Sequence, residues 1–301
     1  MKNQKTQSET KRLDLMALIL MIILLGASIV NAQTDIQQGI EIFNKKNYYG
    51  AKRFFTEYIE KNKESGEAYY YLGRIAMEER DLEQAAEHFD EAVDIDAGIS
   101  EYQTWKGIAY IQLLSTVDFM KQGLYAPRAM NALEAAVELD PDNVNARTWL
   151  AGYYAQAPVF AGGSEAKAKE QYEAAIEIDP EFVPAYTNYG IALLGFEEYD
   201  PALRNFEKAL ELDPDNYQAL LFIGKLSAES SRFATQGELS LKKFIDQAPD
   251  EYEKQKGEAW WYLGTIYMND GNEGNARTAY ENAVNLDPDK EEYQKSLKKL
   301  M

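Results

Sequence analysis

The side chains able to do chemistry in this 301-residue chain are few and scattered. Histidine occurs once, as His88, and cysteine is absent. A zinc site would have to be almost wholly carboxylate, against the metal's preference for nitrogen and sulfur ligands. Disulfides and thiolate nucleophiles go with the cysteines. Asp140-Pro141-Asp142-Asn143 recurs as Asp213-Pro214-Asp215-Asn216, and both resemble calcium loops at first sight. Neither has the D-x-D-x-D-G spacing or the later Glu of an EF-hand. Ala161-Gly162-Gly163-Ser164 would present backbone N–H groups to an anion at a helix start. It lacks the Gly-Lys-Ser/Thr ending of a phosphate loop, and Ser164 as a helix N-cap is the simpler reading. Acidic pairs occur throughout, so no single pair marks a glycosidase. The sequence therefore predicts no catalytic, cofactor-binding or metal-binding residue. It predicts a binding protein rather than an enzyme.

The elements that would carry binding residues are helices. Residues 183–216 read as two amphipathic helices joined by a tight turn. Ala185, Tyr186, Tyr189, Gly190 and Leu193 fall at three- and four-residue steps, the spacing of one helix face. Gly190 costs about 1 kcal/mol relative to Ala inside a helix, so it predicts a closely crossing second helix. That helix carries Ala202, Phe206, Ala209 and Leu210 on its apolar face. Its expected start is Asp200 as cap with Pro201 in the first position. Pro214 disfavours helix at Asp213 and ends it.

This unit recurs. Small residues stand at Gly39, Gly73, Gly107, Ala151, Gly190, Gly224 and Gly264. A second series, Ala51, Ala85, Ala129, Ala168, Ala202, Gly237 and Ala276, is followed four residues on by Phe55, Phe89, Leu133, Tyr172, Phe206, Leu241 and Tyr280. Pro141, Pro180, Pro214, Pro249 and Pro288 mark the stops. The 34-residue period with these residues at these offsets resembles the tetratricopeptide repeat family. The resemblance implies an all-α, right-handed superhelical solenoid of about seven helix-turn-helix repeats. They lie near 32–65, 66–99, 100–143, 144–182, 183–216, 217–251 and 257–288, within a repeat domain 33–288. Lysine-rich residues 289–301 would form a capping helix over the last apolar face.

The resemblance also implies where a partner would sit. In this family the first helices of the repeats line a groove. Carrying the family's groove positions over gives Tyr70, Arg74 and Met77, then Thr104 and Ile108, then Thr148. It goes on to Thr187 and Ile191, Leu221 and Lys225, and Trp261 and Thr265. Such a groove is apolar with threonines and two separated cations. The Lys/Asn carboxylate clamp of chaperone-binding relatives is not reproduced, which disfavours an acidic chaperone tail. Trp260-Trp261 and the many tyrosines fall mostly on core positions. Repeats three and four carry extra residues between their helices, at 113–128 and 156–164. These supply Phe119, Tyr125, Arg128 and Phe160 as a second candidate surface, with Gly123, Gly162 and Gly163 as points of flexibility.

Residues 1–14 are polar and basic, 15–30 are almost wholly apolar, and Val30-Asn31-Ala32 offers a small-residue exit. Together these predict a secretory signal peptide over 1–32 and a periplasmic or secreted protein. No stable membrane insertion is expected after cleavage, because the apolar run is short for a bilayer span. The formal net charge of −19 repels nucleic acid and anionic headgroups. The expected partner is a protein or peptide of the cell envelope. The alternative is a small-molecule solute, held by the two insertions in a transporter accessory protein.

Overall fold

The structure, a computed structural model, describes residues 36–301. The expected signal peptide, 1–32, lies outside the described residues. Among those residues the chain forms helices joined by short turns, with two 3-10 turns and no strand. Two compact units divide after Leu139.

In the first unit, α1 (36–44) precedes α2 (Tyr48–Lys61), α3 (Gly66–Glu78) pairs with α4 (Leu82–Ile95), and α5 (Ser100–Leu114) pairs with α6 (Phe119–Leu139). In the second, the pairs are α7 (Val144–Gln156) with α8 (Glu165–Ile178), α9 (Val183–Gly195) with α10 (Tyr199–Leu212), α11 (Tyr217–Ser230) with α12 (Ala234–Gln247), and α13 (Glu253–Asn269) with α14 (Glu273–Leu286). The last helix, α15 (Glu291–Lys298), packs on α14. Within each unit, first and second helices alternate as a stack of antiparallel pairs. This is the all-α repeat fold expected from the sequence.

Most pairs close on a glycine, and the α7–α8 pair has Ala151 in its place. A Cβ placed on Gly190 would lie 2.5 Å from Cε1 of Phe206, a ring with no exposed surface. The same contact joins Gly73 to Phe89 at 2.6 Å, Gly107 to Leu133 at 2.5 Å and Gly264 to Tyr280 at 2.6 Å. The small residue on the first helix is the recess for the bulky residue on the second. Such a seam holds the helix axes close, and close-packed interiors tolerate no added volume there.

The turns have their own chemistry. The first helices of several pairs end on a residue with φ near +60°: Lys46, Arg80 and Glu197. Gly271, at φ +73°, does the same between α13 and α14, where glycine carries no Cβ penalty. The Asp-Pro-Asp-Asn tetrads are helix punctuation. Asp213 caps the end of α10 and its Oδ1 accepts from the Asp215 N–H at 3.1 Å. Asn216 then caps α11 by accepting from the Ala219 N–H at 2.9 Å. Asn143 does the same for α7, and Asp81 and Ser164 cap α4 and α8.

Two expectations are corrected. Asp200 does not cap α10. The left-handed turn at Glu197 starts that helix at Tyr199, with Glu198 in the cap position and no side-chain cap bond. Asp200 instead accepts two hydrogen bonds from Arg232, at 2.8 and 2.9 Å. The insertions are also not loose loops. Most of 113–128 continues α6 toward its N-terminus, with Gly123 and Pro127 inside the helix. Residues 157–164 form a knotted turn: Ser164 N–H donates to Tyr154 O at 2.8 Å, Tyr153 Oη to Ala161 O at 2.7 Å, and Gly163 abuts the Ala157 carbonyl.

Two glycines of α9 test the seam. Gly190→Ala should lower the urea midpoint of unfolding, since overpacking costs about 1–3 kcal/mol and outweighs the helix-propensity gain of about 1 kcal/mol. Gly195→Ala, with nothing within 4 Å of its Cβ, should raise it. Far-UV circular dichroism reads both.

Candidate binding surface on the first helices

The expected groove positions divide into buried and accessible sets. Thr104, Thr148 and Thr187 are buried, and each hydroxyl donates to the carbonyl four residues back, on Ser100, Val144 and Val183. Thr187 also accepts from Asn216 Nδ2 at 2.9 Å, tying α9 to the cap of α11. These hydroxyls serve helix packing. Ile108 is buried as well, and Ile191 is half-buried against the α9–α10 core. Thr265 donates to Trp261 O at 3.0 Å, and its hydroxyl lies 3.3 Å from that of Tyr280. Trp261 donates to Ser296 Oγ at 3.0 Å and stacks on Tyr293, so α15 partly covers it. Met77 is half-buried.

Tyr70 and Arg74 join one cluster in the first unit. The Arg74 guanidinium lies 3.8 Å from the centroid of Trp105 and 5.6 Å from those of Phe43 and Tyr70. It donates to Tyr70 Oη at 2.6 Å, and Glu101 accepts from Tyr70 Oη at 3.0 Å and from Trp105 Nε1 at 2.7 Å. Burial is the first cause that pushes the Tyr70 phenol far up, keeping it a donor. This expected groove cation already sits among the protein's own rings and donates to the Tyr70 hydroxyl.

Leu221 and Lys225 instead border a cavity of about 430 Å³ in the second unit. Tyr217, Phe222 and Gln218 of α11 line it, with Phe244 of α12 at one side and Gln255, Glu258 and Tyr262 of α13 opposite. Tyr252 completes the wall. It stands on the 3-10 turn Asp250–Tyr252, its ring 5.8 Å from Phe244 and 5.6 Å from Tyr217. Tyr262 Oη donates to Glu258 at 2.8 Å. Sequence reasoning identified Leu221 and Lys225 but not the opposing wall. The signal was the polar stretch 250–256, which breaks the repeat length just before α13.

The insertion residues belong to different units. In the first unit Phe119 is 78% exposed, while Tyr125 packs against Tyr110 at 5.4 Å. Arg128 donates to Tyr110 Oη at 2.9 Å, and Tyr110 donates to Asp90 at 2.6 Å. Lys106 holds the other oxygen of Asp90 at 2.8 Å. Burial first, and the bond to Asp90 second, push the Tyr110 phenol up to about 12. This network straps the N-terminal extension of α6 to α4 and α5. Leu113, Thr116, Val117, Asp118 and Lys121 also border a polar depression of about 540 Å³. In the second unit Phe160 is 85% exposed on its 3-10 turn, and residues 156–164 line neither cavity.

His88 is half-buried beside Tyr69, and burial, with Lys52 nearby, depresses its pKa. Among the described residues no group of three or more acidic or histidine side chains is placed to hold a metal ion. No helix among them is long and apolar enough to cross a membrane.

Paired antiparallel helices, a glycine seam in most pairs and ligand-sized space between successive first helices define a helical-repeat binding protein. Tetratricopeptide repeat models match residues 46–98, 187–252 and 257–290, which together make up half of the chain. The chain belongs to the tetratricopeptide repeat family. It is similar to BBSome complex member BBS4 of Bos taurus, 27% identical over 219 residues, covering 73% of this chain and 38% of that protein. A TPR repeat-containing protein of Methanocaldococcus jannaschii is 22% identical over 267 residues, covering 86% of this chain and 37% of its own length. The chain thus spans well under half of these relatives. Among solved structures, a tetratricopeptide repeat protein from Parabacteroides merdae superposes with a TM-score of 0.62 at 15% identity, covering 90% of this chain and 98% of that one. The Cut9–Hcn1 hetero-tetramer of the APC/C gives 0.65 at 12% identity, covering 85% and 46%. These structures share the fold.

Proposed function

We propose that this chain is an exported scaffold that binds an extended segment or helix of a cell-envelope protein along its first helices. The observation that carries the reading is the preformed cavity between α11 and α13, walled by aromatic rings and edged by Gln218 and Gln255. A preformed apolar surface with a few polar groups binds at low reorganisation cost. The family supports a protein or peptide partner, and two of the similar proteins carry names of multi-protein assemblies. Export rests on the sequence of residues 1–32 alone. A solute-binding role gains nothing from residues 156–164, since they line neither cavity.

A photo-crosslinking amino acid at Gln218, in the native host, should give a discrete adduct with an envelope protein. The same group at exposed Arg204 on α10 should give none. Equal labelling at the two sites would overturn the binding surface. Export has its own readout: amino-terminal sequencing of the native protein should begin at Gln33, and a chain that retains 15–30 would contradict it.

A further inference from the structure

The cavity between α11 and α13 contains a carboxylate that the protein leaves without a cation. Glu258 accepts a hydrogen bond from Tyr262, and among the described residues no lysine or arginine pairs with it. The nearby lysines are engaged elsewhere. Lys225 lies 3.8 Å from Glu229 and over the Phe222 ring, and Lys256 lies 3.6 Å from Glu253. A carboxylate that faces a ring-walled cavity without a cation of its own is placed to bond one that a partner supplies.

The walls suit that partner. Tyr217, Tyr252 and Tyr262 border the same space as Glu258, and ring faces attract cations through their quadrupole. The local field has the matching sign. The Tyr262 phenol is held protonated far above its usual range, first by burial, then by its bond to Glu258, with the charges of Glu258 and Glu229 adding to this. Lys225 also borders the cavity, and its pairing with Glu229 offsets its charge there. The chain as a whole carries −19, which draws cationic segments toward it.

We propose that this cavity takes an arginine side chain from an extended segment of the partner protein, with Glu258 as its counter-ion and the tyrosine rings as its walls. The planar guanidinium stacks on rings while bonding a carboxylate, a combination that a lysine ammonium matches less well. The amides of Gln218 and Gln255 flank the site and suit the peptide groups on either side of the arginine. The inference rests on the peptide-binding reading above and specifies its chemistry.

The test uses the full chain and three synthetic peptides of glycine, serine and alanine, seven residues long. Their central residue is arginine, citrulline or glutamate, and binding is followed by NMR titration of α11 and α13 resonances. The arginine peptide should bind about tenfold more tightly than the citrulline peptide, a difference of roughly 1.4 kcal/mol. Glu258→Gln should erase that preference without changing the melting temperature. Equal binding of the arginine and citrulline peptides overturns the inference and leaves the peptide-binding reading standing. Preference for the glutamate peptide, which would make Lys225 the reader, also overturns it, as does an arginine preference that survives Glu258→Gln. If no peptide perturbs α11 or α13, both readings fail. Should Glu258→Gln not fold, Tyr252→Leu on the surface turn serves instead, and full arginine affinity in that variant overturns the proposal.

Discussion

Most helix pairs in this fold depend on the close approach of a glycine on one helix to a bulky side chain on the next. The contact of Gly190 with Phe206 leaves no room for a methyl group, and it recurs from pair to pair with Phe, Leu or Tyr as the filler. A helical glycine costs about 1 kcal/mol, so each seam must return more than that through packing. It does so by letting Phe55, Phe89 and Phe206 bury completely. With the helix pair fixed at short distance, the first helices present their other face outward. Binding residues are thus set by a contact on the opposite side of the same helix.

The regular repeat makes a surface, and the irregular parts make a site. The Asp213-Pro214-Asp215-Asn216 tetrad ends α10 and caps α11 within four residues, which keeps those two pairs in register. Where that economy is broken, something else is built. The extra residues before α13 fold as a 3-10 turn and place Tyr252 against Phe244 and Tyr217, giving the α11–α13 cavity its wall. The extra residues before α6 extend that helix and are strapped by the Asp90, Tyr110 and Arg128 network. The first device works through ring contacts alone, and the second adds a tyrosine hydroxyl bonded to a carboxylate, Tyr110 to Asp90.

Much of the fold was legible in the sequence because periodicity and volume are one-dimensional signals. Gly190 called for a crossing helix, Pro214 for a stop, and Ser164 for a cap, and all three occur. The start of α10 was misread, because a left-handed non-glycine residue such as Glu197 leaves no compositional trace. The binding surface was legible only in part. The family's groove positions include Thr104, Thr148 and Thr187, yet each is sealed by its own backbone bond. Arg74 is a free cation in sequence and a ring-enclosed one in the structure. Glu258 and Tyr252 matter through neighbours distant in sequence, and only the folded chain brings those together.

The central claim is that stability and surface geometry are set locally, by each pair and its neighbours. Removing residues 289–301 from the otherwise intact chain tests it directly. That segment supplies Tyr293, stacked on Trp261, and Ser296, bonded to the Trp261 indole. Hydrogen exchange by mass spectrometry should then speed up in α13 and α14, at Trp261, Tyr280 and Ala283, and stay unchanged in α9 and α10 around Gly190 and Phe206. Uniform acceleration across α7 to α14 would contradict the account and point to a single cooperative core.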